Sequence, residues 1–183
     1  MGAVNVELDV LIENVINWHA QRYPELLSNS PSEQSFASIR LLCEKILLPV
    51  QVQFGQINVT YGFTSASLVN LIRKKCPAGT APKLDQHAAH ECNKNNVYYC
   101  NRLGAACDSL LAEPSVGMDE IANWITHNVE FDRLYFYGVG RPLHISFGPE
   151  NSKFIQLMGE SAKGKRTPKQ RANNTSFYSL LKK

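Results

Sequence analysis

No apolar run in these 183 residues approaches the roughly 20 needed to cross a bilayer as a helix, so no membrane span is expected. The opening MGAVNVELDVLIENV lacks the basic segment that starts a secretory signal, and it places Glu7, Asp9 and Glu13 inside its apolar stretch. Without a signal peptide, a cytoplasmic or virion location is expected. An even cysteine count is missing too. Five cysteines (Cys43, Cys76, Cys92, Cys100 and Cys107) argue for reduced thiols or metal thiolates ahead of a disulfide framework. Acidic residues stop at Glu160. Beyond it every charge is basic, at Lys163, Lys165, Arg166, Lys169, Arg171, Lys182 and Lys183, although the whole chain carries a net charge of only +3. Such a tail reads either as a solvated, flexible C-terminus or as an arm that contacts nucleic acid or a protein assembly, with SFYSLL as a hydrophobic anchor.

What is present describes a folded protein. Hydrophobic residues make up 44% and charged residues 19%, an ordinary globular balance, and the length suits one domain with additions. Apolar residues from Val4 to about Leu27 recur at Leu8, Leu11, Ile12, Val15 and Ile16, which predicts an amphipathic helix ended near Pro24. Ser30 to Glu33, read as a capping box, predicts a second helix through to Phe54. INVTYGF alternates as a strand, ASLVNLIRKK is a helix stopping before Cys76, and MDEIANWITHN is a short helix. FDRLYFYG, PLHISFG and KFIQLMG read as three strands joined by glycine turns, and the order of elements predicts an α+β fold whose antiparallel sheet packs with helices. Between Ala78 and Arg102 lies a long irregular section that carries His87, His90, Cys92 and Cys100.

The chemistry concentrates on two strand positions. Alternation puts Leu143 and Ile145 of PLHISF on one face and His144 and Ser146 on the other, and Asp108 is embedded in the apolar run AACDSLL. With His87 or His90, these residues make two imidazoles and one carboxylate. That donor set suits zinc with an open fourth position, although neither HExxH nor a paired CxxC is present. His90, Cys92 and Cys100 form an alternative donor set.

From IRLLCEKILLPVQVQFGQINVTYGFTSASLVNLI, through DQHAAH and LGAACD, to EIANWITHNVEFDRLYFYGVGRPLHISF, the chain resembles the zinc D-Ala-D-Ala carboxypeptidases of the Hedgehog/DD-peptidase superfamily, in their compact phage and bacterial form. The resemblance covers roughly Ser35 to Phe147. It implies a peptidase-like domain over 31–158, while the N-terminal amphipathic helix over residues 1–30 and the basic tail over 159–183 lie outside the match. It also implies zinc held by His87 from DQH, Asp108 from GAACD and His144 from PLHIS, with a peptidoglycan peptide as substrate. The chain departs from the family at three places. AHECNKNNVYYCNR separates the first histidine from the aspartate. Tyr137 stands at the position of the family's general-base glutamate, where a phenol near its ordinary pKa cannot accept a proton as a carboxylate does. Glu91 and Glu130 are the replacement carboxylates that the sequence offers. Thr64 stands where the family has a substrate-binding arginine, so a bidentate clamp is lost. These departures imply altered or weak hydrolysis, or alternatively a non-catalytic structural or binding protein, such as a virion component, that reuses the fold.

Overall fold

A computed structural model describes residues 2–19, 22, 23, 25, 28–75, 86–160 and 166–182. Cys76, Lys163, Lys165, Lys183, Pro24, Leu27 and the start of the irregular section lie outside them. Helix α1 (Gly2–Asn17) buries Leu8, Leu11, Ile12 and Val15, the stripe that its periodicity predicts. Helix α2 (Glu33–Leu42) starts two residues later than the capping-box reading. Ser32 is its N-cap, accepting from the Ser35 amide, while the Ser30 hydroxyl is occupied by Ser28 Oγ at 2.6 Å. A π turn (Cys43–Leu47) separates α2 from α3 (Leu48–Phe54), with the Leu48 amide reaching back to Cys43 O. Pro49 has no N–H to give, so the ladder widens just ahead of it. Helix α4 (Ala66–Lys75) and helix α5 (Met118–Asn128) complete the predicted helices. None of the described helices is long and apolar enough to cross a membrane.

The sheet has six strands: β1 (Ile57–Tyr61), β2 (Ala105–Leu111), β3 (Arg133–Phe136), β4 (Leu143–Phe147), β5 (Phe154–Glu160) and β6 (Arg166–Asn173). Their order is β1-β2-β4-β3-β5-β6. All neighbours are antiparallel except β3 and β5, so the expected antiparallel sheet is corrected to a mixed one within the predicted α+β class. The reason is local. The six residues after β4 re-enter beside the start of β3, where Phe154 N donates to Asp132 O at 2.9 Å and Ser152 N to Asp132 Oδ1 at 3.1 Å. β5 therefore leaves in the same direction as β3.

One sheet face is sealed. Cys107, Leu134, Leu143, Ile145, Ile155 and Leu157 join the helices in a single core, where burial pushes the Cys43 thiol up to about 12 and the Cys107 thiol well above its usual value. Fully burying each aliphatic side chain is worth roughly 1.5–3 kcal/mol. The solvated-tail reading is corrected for residues 166–182. β6 pairs along the length of β5, and helix α6 (Phe177–Leu181) sinks Phe177 and Leu180 into the core at 0% and 3% exposure. The Phe177 ring meets Phe136 at 4.8 Å. SFYSLL thus anchors to this domain itself. Arg166, Pro168 and Lys169 are exposed on an edge strand, where charge and proline discourage pairing with other chains.

Candidate metal centre

His87 sits on a short 3-10 turn (Gln86–Ala88) held from two sides. Thr64 N donates to His87 O at 2.9 Å. Gln86 Nε2 donates to Leu103 O and to Asp132 Oδ2, each at 2.7 Å, and Ser152 Oγ donates to Asp132 Oδ1 at 2.7 Å. Asp132 is fully buried, so this carboxylate is satisfied entirely by protein donors. Gly148 makes room for the arrangement, since a Cβ there would stand 2.7 Å from Gln86 Nε2.

Strand register supplies the other two side chains. Asp108 of β2 lies directly opposite His144 of β4. Both point to the face that the core leaves open, as alternation predicts. His144 Nδ1 lies 2.8 Å from Asp108 Oδ1 and His87 Nε2 lies 3.2 Å from the same oxygen. The imidazoles are buried, whereas the Asp108 side chain keeps 22% of its surface. Burial pushes the Asp108 carboxyl up, but the His87 charge and hydrogen bonds from both imidazoles outweigh it and hold the group well below the usual carboxylate range.

Two tyrosines flank the pair. The Tyr61 ring meets His87 edge-on at 4.7 Å, and the Tyr135 ring stacks on His144 at 4.6 Å with 12° between planes. Register sets Tyr61, Asp108, His144, Tyr135, Gln156 and Arg171 in one row across the sheet.

His87, Asp108 and His144 could hold a metal ion, since one donor atom from each lies within 4.8 Å of the others. Two imidazole nitrogens and a carboxylate oxygen are ordinary zinc donors. Bonds of about 2.0–2.1 Å in a tetrahedron separate neighbouring donors by about 3.3 Å, close to the 2.8 and 3.2 Å found here. The residues fit the ion that the sequence resemblance implies.

The remaining candidates lie elsewhere. His90, Cys92 and Cys100 form no comparable group among the described residues. His90 Nε2 accepts from Gly104 N at 3.3 Å, and Cys92 Sγ faces His90 O at 3.8 Å. Tyr137 lies past the end of β3 beneath Arg166, whose guanidinium is 4.7 Å from the ring centre, and Tyr135 is the β3 tyrosine that touches His144. Thr64 is fully buried, and its amide supports the His87 turn. The Glu91 carboxylate caps two helices, taking Ser35 Oγ at 2.8 Å, Ser32 N at 3.0 Å and Ala66 N at 3.4 Å. Glu130 is exposed and pairs with Asn151 and Lys153. Sequence reasoning missed Gln86, Asp132, Tyr61 and Tyr135. Strand alternation could have placed Tyr135 on the right face, but its opposition to His144 needs the register.

No protein-family model, no characterised protein and no solved structure matches this chain.

Proposed function

We propose that this chain is a zinc-binding, peptidase-like protein related to the peptidoglycan D-Ala-D-Ala carboxypeptidases and endolysins of the Hedgehog/DD-peptidase superfamily, of the phage and bacterial single-domain type. The observation that carries the reading is the convergence of His87, Asp108 and His144 from three separate segments onto one carboxylate oxygen at the open sheet face. Zinc, when bound, supplies a Lewis acid that polarises a peptide carbonyl and makes water nucleophilic near neutral pH. The chain supplies the rest. Asp108 would stand as the third ligand between the two imidazoles, the Gln86–Asp132 pair fixes the His87 turn, and the rings of Tyr61 and Tyr135 limit tilting of the two histidines.

Hydrolysis through this site is weak on the same reading. Among the described residues Asp108 is the lone carboxylate of the group, and both alternative glutamates are engaged elsewhere. Absence of a general base costs about 100-fold to 10,000-fold. These engagements also favour the second reading, a non-catalytic structural or binding protein on the same scaffold.

The experiment pairs metal analysis with turnover. Protein purified without chelators is expected to carry about one zinc per chain, the open three-ligand stoichiometry, and His144→Ala to carry none. Slow zinc-dependent release of D-alanine from D-Ala-D-Ala peptides supports the enzyme. Stoichiometric zinc without release supports the non-catalytic reading, and the absence of zinc from the wild type overturns the zinc-binding peptidase reading.

A further inference from the structure

The end of α1 and the edge strand β1 enclose a cleft of about 450 Å³, lined by Asn14, Asn17, Trp18, Arg22, Asn58 and Val59. That volume lies in the range of small-ligand sites, about 300–1,000 Å³. Among the described residues its lining offers three carboxamides, one guanidinium and no acid. Each carboxamide both donates and accepts, as a peptide bond does. Arg22 is held in place, with its guanidinium carbon 3.7 Å from the Trp18 ring centre and Nη1 3.4 Å from Trp18 O. It has no acidic partner among the described residues. A guanidinium stacked on an aromatic face and lacking an acid is arranged for a planar anion.

The cleft adjoins the metal centre. Trp18 packs on Tyr61 at 5.4 Å, and Tyr61 packs on His87 at 4.7 Å. The irregularity between Val59 and Tyr61 restores Tyr61 to the face shared by Asn58, because the two oppose Asp108 and Leu110, which alternate onto one side of β2. Asn58 therefore stands on the metal-centre face, about 10 Å along the strand from Tyr61. Among the described residues β1 also has no strand on its outer side, the arrangement to which an extended peptide adds.

We propose that this cleft is a binding subsite for the carboxylate end of a short peptide, with Arg22 holding the carboxylate and Asn14, Asn17 and Asn58 meeting the peptide amides. The choice of a peptide rests on the peptidase reading, whereas the subsite itself does not depend on metal.

The chain has two tryptophans, Trp18 in the cleft and Trp124 against Phe54. Fluorine NMR of 5-fluorotryptophan-labelled, chelator-stripped full-length protein therefore reads the cleft separately from the rest. The probes are N-acetyl-D-alanyl-D-alanine, its L,L counterpart and the C-terminal amide of each. The expected result is a saturable shift of the Trp18 signal with at least one free acid, a stationary Trp124 signal, binding weakened at least about 10-fold in Arg22→Gln, and equally weak binding of the amide to the wild type. No saturable shift with any acid up to about 10 mM, or equal affinity in wild type and Arg22→Gln, overturns the subsite. Zinc content is measured on the same preparations, so failure of the metal reading is seen independently.

Discussion

Strand β4 presents two surfaces from five consecutive residues, and they obey different rules. Leu143 and Ile145 are sealed in the core, where shape and volume decide everything; His144 and Ser146 are almost as buried, at 3% and 0% exposure, yet face a polar site. The same separation runs through β2, where Cys107 faces the core and Asp108 the imidazoles. Burial alone does not distinguish stability residues from site residues in this sheet. Direction within the pleat does, which makes the comparison open to test by adjacent substitutions.

The largest separation is expected from Ile145→Ala beside His144→Ala. Ile145 is 2% exposed and surrounded by core side chains, so its truncation is expected to cost about 2–5 kcal/mol in urea or guanidinium unfolding. The folded fraction should retain its metal. His144→Ala should still unfold cooperatively but lose bound zinc to background. If both substitutions remove zinc in proportion to stability, the two faces do not differ in role.

A third histidine sharpens the contrast between satisfied and unsatisfied burial. His19 is 1% exposed and makes no hydrogen bond of ordinary geometry among the described residues, with a backbone group of Gly62 as a weak partner. Its ring packs against Tyr61 at 4.8 Å. Burial, helped by the charges of His87 and Arg22, lowers its pKa from 6.5 to about 4, with a backbone group of Gly62 pulling slightly the other way. The unfolded chain protonates here as pH falls through about 6.5, the folded chain only near 4. Between those values the unfolded state binds more protons, so stability falls as pH falls, by at most about 3 kcal/mol, and this contribution levels off below the folded pKa. His19→Phe should remove that part of the pH slope, as measured by unfolding free energies of the two proteins from pH 7 to 4. An unchanged slope would show that His19 is hydrated or paired when folded.

The parts of this arrangement that were legible in the sequence are those governed by local period. Alternation placed His144 opposite to Leu143 and Ile145, and helical period picked out the buried stripe of α1. The parts that were not legible depend on pairing between distant segments. Gln86 and Asp132 meet across 46 positions, and nothing in either neighbourhood signals it. Tyr135 and Tyr137 share a parity, so the strand pattern cannot tell which stands against His144; the register does. The segregated basic charge after Glu160 suggested solvent, because composition does not reveal that Phe177 and Leu180 reach back to the core across an edge strand. The parallel β3–β5 pair depends on where one short connection re-enters the sheet.

The smallest effect tests whether the site face needs its support. Asp132 accepts from Gln86 Nε2, Ser152 N and Ser152 Oγ, and Gln86 immediately precedes His87. Asp132→Asn keeps the shape but turns one acceptor into a donor. If the new amide faces Gln86 Nε2, two donors oppose each other. If Gln86 flips to answer it, its oxygen turns toward Leu103 O and two acceptors meet. Either outcome loosens the 3-10 turn. Zinc affinity, read by competition with a chromophoric chelator, is expected to fall about 10-fold to 100-fold, the usual cost of disturbing a ligand's support, with a stability loss of about 1–3 kcal/mol. Stability loss alone would not establish positioning, so Ile145→Ala provides the control. At a comparable loss of stability it should leave the affinity of the folded protein unchanged. Equal affinities in the two variants would show that Asp132 only holds the fold together and that His87 is placed by the Thr64 amide and the rings around it.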